Sequence, residues 1–194
     1  MENASGFSVR SRKARFTIIV RCLETFTPGI KLLDYGCYDA ALSHQLSTTV
    51  KRYIGVDENP KFVKLARVNC NGPGYFICGN ILEDAVFDRI STLKPDVIVA
   101  SGVMSYRGDA AHYPELLSRL FTAARHGVIF NVLAADIPQA SKRLVMHRPG
   151  IIRWKPEMVI RLVRACGCNS WEIIRSYLHN DMTVVMRKQW THFT

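Results

Sequence analysis

The stretch Lys31-Leu32-Leu33-Asp34-Tyr35-Gly36-Cys37-Tyr38-Asp39-Ala40-Ala41-Leu42-Ser43 decides the fold of this chain. Ile30 to Leu33 is a short apolar run, the pattern of a strand buried in a parallel sheet. Asp34 closes the run, Gly36 follows, and Leu42 and Leu46 predict a helix over Asp39 to Leu46. Strand, tight turn and helix open a βαβ unit, whose turn presents backbone N–H groups and a helix N-terminus to a ligand. Gly36 suits that turn because backbone can approach a ligand there with no Cβ in the way.

Working outward, Arg52-Tyr53-Ile54-Gly55-Val56-Asp57 reads as a second strand that ends in an acid. An acid about 20 residues past the glycine turn holds a ribose in dinucleotide-type folds, where its carboxylate accepts from both hydroxyls. Pro60 suits the first turn of a following helix. Tyr75 to Cys78 is a third strand, followed by Gly79-Asn80-Ile81-Leu82. Glu83 to Leu93 is a helix, and Pro95 to Ala100 is a fourth, near-continuously apolar strand. Ser101, Gly102 and Val103 stand at its C-terminal end, where open α/β sheets bind ligands. Tyr113 to Ala124 is a helix and Val128 to Leu133 a fifth strand. Pro156 to Ala165 is the last helix, Trp171 to Ile174 a strand, and Asp181 to Arg187 an antiparallel edge strand. Upstream, Arg10 to Thr25 reads as an amphipathic helix and Met1 to Val9 as a mobile arm. Strands alternating with helices predict a parallel sheet.

Two segments resemble class I S-adenosylmethionine (SAM) dependent methyltransferases. Leu33 to Ala40 is similar to their motif I, acid-x-Gly-x-Gly-x-Gly, with Asp34 and Gly36 in place and Tyr38 and Ala40 where two glycines are usual. Tyr53 to Pro60, with Val63 and Ala66-Arg67 after it, is similar to the segment that follows motif I almost residue for residue. Ala100-Ser101-Gly102-Val103, Arg15-Phe16 and Val128-Ile129-Phe130-Asn131-Val132-Leu133 resemble a branch of small bacterial methyltransferases. The resemblance implies an α/β, Rossmann-like seven-stranded sheet, mostly parallel with an antiparallel C-terminal strand and an added N-terminal helix. It implies one domain over residues 1–194. Residues 1–9 would be its arm, 10–26 the helix, 30–133 the cofactor-binding core, and 134–194 a substrate-side loop with the C-terminal strands. The cofactor would be SAM and the product S-adenosylhomocysteine (SAH). The residues implied to hold the cofactor are Asp34, Gly36, Tyr38, Asp57, Glu58, Asn80, Ile81, Ser101 and Val103. Arg15 would reach its carboxylate or an anionic substrate. Asn80 would offer its amide oxygen to the adenine amine, and it reads equally well as a plain turn residue.

Composition bounds partners. The formal charge is +10 and the isoelectric point about 9.6. A basic surface favours nucleic acid, an anionic small molecule or an acidic membrane, or serves solubility. The basic residues gather in two places: Arg10, Arg12, Lys13 and Arg15, then Lys142, Arg143, Arg148, Arg153 and Lys155. Trp154, inside the second group, is a candidate for stacking on an RNA base. No apolar run reaches the roughly 18 residues of a membrane span. Met1 to Lys13 is polar, without the apolar core of a secretory signal. Six scattered cysteines read as reduced thiols, which points to the cytoplasm, and Cys166-Gly-Cys168 is poor zinc spacing.

These observations predict methyl transfer to an anionic or polar small-molecule acceptor, with RNA as the alternative. A general base would come from Tyr106, His112, His147, Tyr177 or His179. A catalytically inactive subunit that binds RNA or a protein is the competing reading, motivated by Tyr38 and Ala40. A nicotinamide-dependent oxidoreductase is a third, and would need glycines where Tyr38 and Ala41 stand.

Overall fold

The computed structural model describes residues 9–46, 48–105, 111–136 and 151–189. The expected N-terminal arm lies almost wholly outside them. The elements are α1 (Val9–Leu23), β1 (Ile30–Tyr35), β2 (Val50–Asp57), α2 (Pro60–Asn69), β3 (Gly74–Cys78) and α3 (Asp84–Leu93). They continue with β4 (Val97–Ala100), α4 (Tyr113–Ala123), β5 (Gly127–Leu133), α5 (Pro156–Ala165), β6 (Ser170–Ile174) and β7 (Asp181–Arg187). The strands form one seven-stranded sheet in the order β3-β2-β1-β4-β5-β7-β6. β1 to β5 pair in parallel, and β7 runs antiparallel to both of its neighbours.

Alternation along the strands sends side chains to two faces. Leu33, Ile54, Ile98 and Phe130 pack one face against α3, α4 and α5 through Ile90, Leu117, Leu120 and Val159. Leu32, Tyr53, Val99 and Ile129 pack the other against α1 and α2 through Ile19, Leu23, Val63 and Ala66. A strand covered on both faces needs apolar residues at successive positions, which is why β4 reads Val-Ile-Val-Ala. α2 starts where Asn59 Oδ1 accepts the Lys61 N–H at 2.9 Å, with Pro60 as its first residue.

Two sequence expectations are corrected. Asp39 to Leu46 is no α-helix: only a 3-10 helix over Ala41–Gln45 forms, and Leu46 is already extended. Few residues separate Ala40 from the start of β2, too few for a full crossover helix. β7 is also not the edge. It lies between β5 and β6, its first six residues all buried. β6, partly exposed throughout, forms the edge instead. The close approach of β5 and β7 depends on Gly127, where a Cβ would stand 2.2 Å from the Met186 carbonyl oxygen. No described helix is long and apolar enough to cross a membrane.

Candidate functional site

The C-terminal ends of β1 to β4 open into a cavity of about 670 Å³, within the range of small-molecule sites. The cavity lies where the strand order reverses, with β2 and β3 on one side of β1 and β4 and β5 on the other. Open α/β sheets bind their ligands at this reversal.

The floor is the turn after β1. Gly36 and Cys37 donate their N–H groups to the Val56 carbonyl at 2.7 and 3.0 Å, and the Tyr38 N–H donates to Asp57 Oδ2 at 3.0 Å. Gly36, Tyr38 and Ala40 have φ of 76°, 48° and 54°. The left-handed conformation costs a residue other than glycine about 1–2 kcal/mol. Tyr38 and Ala40 therefore keep a glycine-like backbone at the two positions where the resembled motif has glycine. A Cβ on Gly36 would stand 2.5 Å from Val103 Cγ2, so the turn after β4 closes onto this one only because a side chain is missing.

Four carboxylates line the cavity, Asp34, Asp39, Asp57 and Glu58, and two of them are buried. Asp57 accepts from Tyr38 and, through Oδ1, from the Asn59 N–H at 2.9 Å. Burial raises its pKa, and these two N–H groups pull it back. Asp34 is buried, and the Tyr53 hydroxyl donates to its Oδ2 at 2.6 Å. Burial pushes Asp34 up to about 7, against the lowering effect of the Tyr53 hydrogen bond. Glu58 also lines the cavity and accepts from Asn80 Nδ2 at 3.1 Å.

Asn80 lines the cavity, its side chain tied into the turn after β3. Its Oδ1 accepts from the Tyr35 hydroxyl and the Leu82 N–H, each at 3.0 Å, so the oxygen expected to receive an adenine amine is already engaged on both lone pairs. Ile81 is fully buried and does not line the cavity, while Leu82 does. Ser101, Gly102 and Val103 line it as expected.

α1 forms one wall with Arg12, Arg15 and Phe16. Arg12 pairs with Asp39 at 2.8 Å. Arg15, 2% exposed, faces the cavity but pairs through Nε with Asp181 Oδ2 at 2.9 Å. The reach of Arg15 toward an anionic ligand is thus shared with an acid from β7.

Of the candidate bases, His112 lines the cavity, its ring 4.1 Å from that of Tyr113. Tyr177 lies outside the lining, its hydroxyl donating to Asp181 at 3.1 Å and lying 2.7 Å from that of Thr183. His179 is exposed and outside the lining. Tyr106 and His147 fall outside the described residues, as do Lys142, Arg143 and Arg148. Arg10, Lys13 and Lys155 are exposed. Arg153 is partly buried and donates to the Ala134 carbonyl at 3.2 Å. Trp154 is corrected: it is 4% exposed, packs edge-on to Tyr113 and donates to the Met104 carbonyl at 2.6 Å. It is a core residue and cannot stack on a base. Among the described residues, no group of three or more His, Cys, Asp or Glu could hold a metal ion.

No protein-family model matches this chain, and no curated protein matches it. Solved structures do. Magnesium protoporphyrin IX methyltransferase (ChlM) from Synechocystis PCC 6803 with bound SAH superposes with a TM-score of 0.68 at 16% identity, over 97% of this chain and 89% of that one. A SAM-dependent methyltransferase from Archaeoglobus fulgidus gives 0.66 at 14% identity, over 91% and 94%. The small RNA methyltransferase HEN1 gives 0.74 at 18% identity, over 98% of this chain and 27% of that one.

The fold is that of the class I SAM-dependent methyltransferases. In that methyltransferase fold the sequence-derived residues Asp34, Gly36, Tyr38, Asp57, Glu58, Asn80, Ser101, Val103 and Arg15 come together around one cavity, and Ile81 stays beneath it. The sequence reading missed Arg12, Phe16, Tyr35, Cys37, Asp39, Phe62, Leu82 and Leu116 as lining residues. Arg12 and Phe16 were within reach of the sequence, since they share a helical face with Arg15. Phe62 was not, because its place beside the site comes from its ring meeting Tyr38 edge-on at 4.6 Å.

Proposed function

We propose that this protein is a SAM-dependent methyltransferase acting on a polar small-molecule acceptor. The observation that carries the reading is the pair Asp34 and Asp57, facing one cavity across a turn whose Tyr38 and Ala40 hold glycine-like backbone. The site fits the cofactor. Gly36 brings bare backbone into the cavity lining, and two buried acids offer acceptors to hydroxyls and to positive charge. When bound, SAM supplies an electrophilic methyl group on a sulfonium.

The chain's own residues bind and orient. Asp57 is held rigid by the Tyr38 and Asn59 N–H groups, and each carboxylate oxygen keeps a lone pair for a ribose hydroxyl. Asp34 places a buried carboxylate where a cationic ligand is favoured over a neutral one. Holding acceptor and methyl in line supplies much of the rate in such a displacement. His112 is the described candidate base with a place in the cavity wall, able to take a proton from an acceptor hydroxyl or amine.

Three observations support a small acceptor. The site is a walled cavity, Arg12 and Arg15 are already paired with acids, and Trp154 is withdrawn into the core. They favour a polar acceptor over a strongly anionic one. Against the inactive-subunit reading stands the open cavity that Tyr38 lines. Likeness to HEN1 keeps RNA as a second reading, with Arg10, Lys13 and Lys155 as exposed contacts.

Calorimetric titration of SAM and SAH into the protein tests the cofactor. Binding of both is expected. No binding by the parent protein, with binding by Tyr38→Gly, would restore the inactive-subunit reading. Titrating labelled RNA against salt tests the second reading: a log-log slope of about −3 or steeper, lost in Lys13→Ala with Lys155→Ala, would move the acceptor to RNA.

A further inference from the structure

One buried carboxylate ties a wall of the cavity to the turn after β4 that also lines it. Asp181 begins β7, is 2% exposed and does not line the cavity. Its Oδ2 takes Arg15 Nε of α1 at 2.9 Å. Its Oδ1 takes the Asn131 amide of β5 at 2.9 Å and the Tyr177 hydroxyl at 3.1 Å. Asn131 spends its other end on the cavity: its Oδ1 accepts the Gly102 N–H at 2.7 Å. Gly102 has a φ of 77° and lines the cavity beside Val103, which lies over Gly36. One ion pair and two hydrogen bonds thus lead from α1, through β7 and β5, to the turn after β4.

We propose that Asp181 is a positioning residue: through Arg15 and Asn131 it fixes the α1 wall and the 101–103 turn relative to each other, so that seating of α1 and shape of the ligand cavity are one event. The physics requires a sheltered carboxylate for this. Burying one unpaired costs several kcal/mol, so Asp181 stays ionised only while its donors are in place, and losing Arg15 weakens its hold on Asn131. Asn131 is fixed in orientation from both ends, since only its oxygen can accept from Gly102 and only its nitrogen can donate to Asp181. If it turns, the Gly102 N–H loses its acceptor. A residue that merely filled space would give no such dependence between α1 and the turn after β4.

Two measurements test this, the first without any ligand, so that it stands whatever becomes of the SAM-binding reading on which the second rests. Amide exchange at Gly102, followed by NMR in ligand-free protein, should quicken about tenfold in Arg15→Gln, a change within the range of measured couplings. Amides of β4 should quicken much less. Tyr177→Phe removes one donor and leaves the ion pair, so it should give a smaller rise in the same direction, and it serves if Arg15→Gln does not fold. Gly102 exchange that is unchanged, or that rises only in step with β4, would overturn the proposal. The second measurement is SAH affinity of Asp181→Asn, Asn131→Leu and the double variant. Each single change should weaken binding about tenfold, and the double no more than the worse single, because the run is cut once. Losses that multiply would overturn the coupling. A parent protein that binds no SAH would sink the cofactor reading instead, leaving the exchange result to decide.

Discussion

The Tyr38 N–H donates to Asp57 Oδ2 at 3.0 Å, so the strained turn after the first strand is pinned by the acid that ends the second. Asp57 therefore has two duties: its carboxylate faces the cavity, and it holds the cavity floor in shape.

Asp57→Ala should show both duties. Loss of hydrogen bonds to a charged group costs roughly 1.5–3 kcal/mol, so SAH affinity should fall about ten- to a hundredfold. The melting temperature should drop as well, because the Tyr38 and Asn59 N–H groups lose their acceptor. Calorimetry paired with thermal melts reads this, and an unchanged SAH affinity would remove Asp57 from the site.

Gly36 and Val103 should behave as a coupled pair. Gly36→Ala places a methyl 2.5 Å from Val103 Cγ2 at a φ of 76°. Strain and clash should destabilise by about 1–3 kcal/mol. Adding Val103→Ala should recover the clash and leave the strain, a partial rescue visible in urea denaturation. Full additivity of the two losses would contradict the described approach.

Ala40 is buried at a φ of 54°. Ala100 is equally buried, in the middle layer as the last residue of β4. Removing either methyl forfeits about 0.8 kcal/mol of burial and adds the chain entropy of a glycine. At position 40 alone, relief of the left-handed strain of about 1–2 kcal/mol offsets that loss. Ala40→Gly should thus be near neutral while Ala100→Gly is destabilising, as judged by denaturant midpoints. Equal losses would mean that the turn carries no strain.

Asp34 sets the expected pH dependence. Its pKa is raised from 3.8 to about 7 by burial, so the folded state holds a proton that the unfolded state has released. The stability this group contributes is present below about pH 4 and lost as pH rises through about 7. Relative to Asp34→Asn, the parent should lose melting temperature between those limits. Ligand binding should run the other way, since the ionised acid favours positive charge. The ratio of SAM to SAH affinity should rise from pH 6 to pH 8, SAM carrying the extra sulfonium charge. Tyr53→Phe removes a hydrogen bond that lowers this pKa, so it should move both midpoints upward. A flat SAM to SAH ratio would exclude Asp34 as the charge partner.

The sheet was legible because buried parallel strands are apolar at every position and their ends carry punctuation: Asp34 and Gly36 after β1, Asp57 and Pro60 after β2. What escaped the sequence was each contact settled by elements far apart in the chain. Arg15 was readable as a cation on a helix, but its partner Asp181 lies at the far end of the fold. Asn80 was readable as an amide at a turn, but Tyr35 and Leu82 had already taken its oxygen. Trp154 sat among basic residues, and only the packing against Tyr113 and the Met104 carbonyl shows that it belongs to the core. Tyr38 and Ala40 hid the turn for a different reason. Composition reports glycine, whereas the fold needs a backbone angle, and hydrogen bonds from β2 can hold other residues at that angle.

The placement of β7 between β5 and β6 has a consequence for how the molecule is made. Among the described elements α1 is made first, and the acid that anchors its Arg15 comes with β7, the last of them. Until then α1 faces a sheet without its ion-pair partner, and Asn131 has no carboxylate to orient it. Chain growth thus imposes an order: the β1 to β5 half can assemble from near neighbours, while the cavity takes its final form by a contact between residues far apart in the sequence, a kind slow to close.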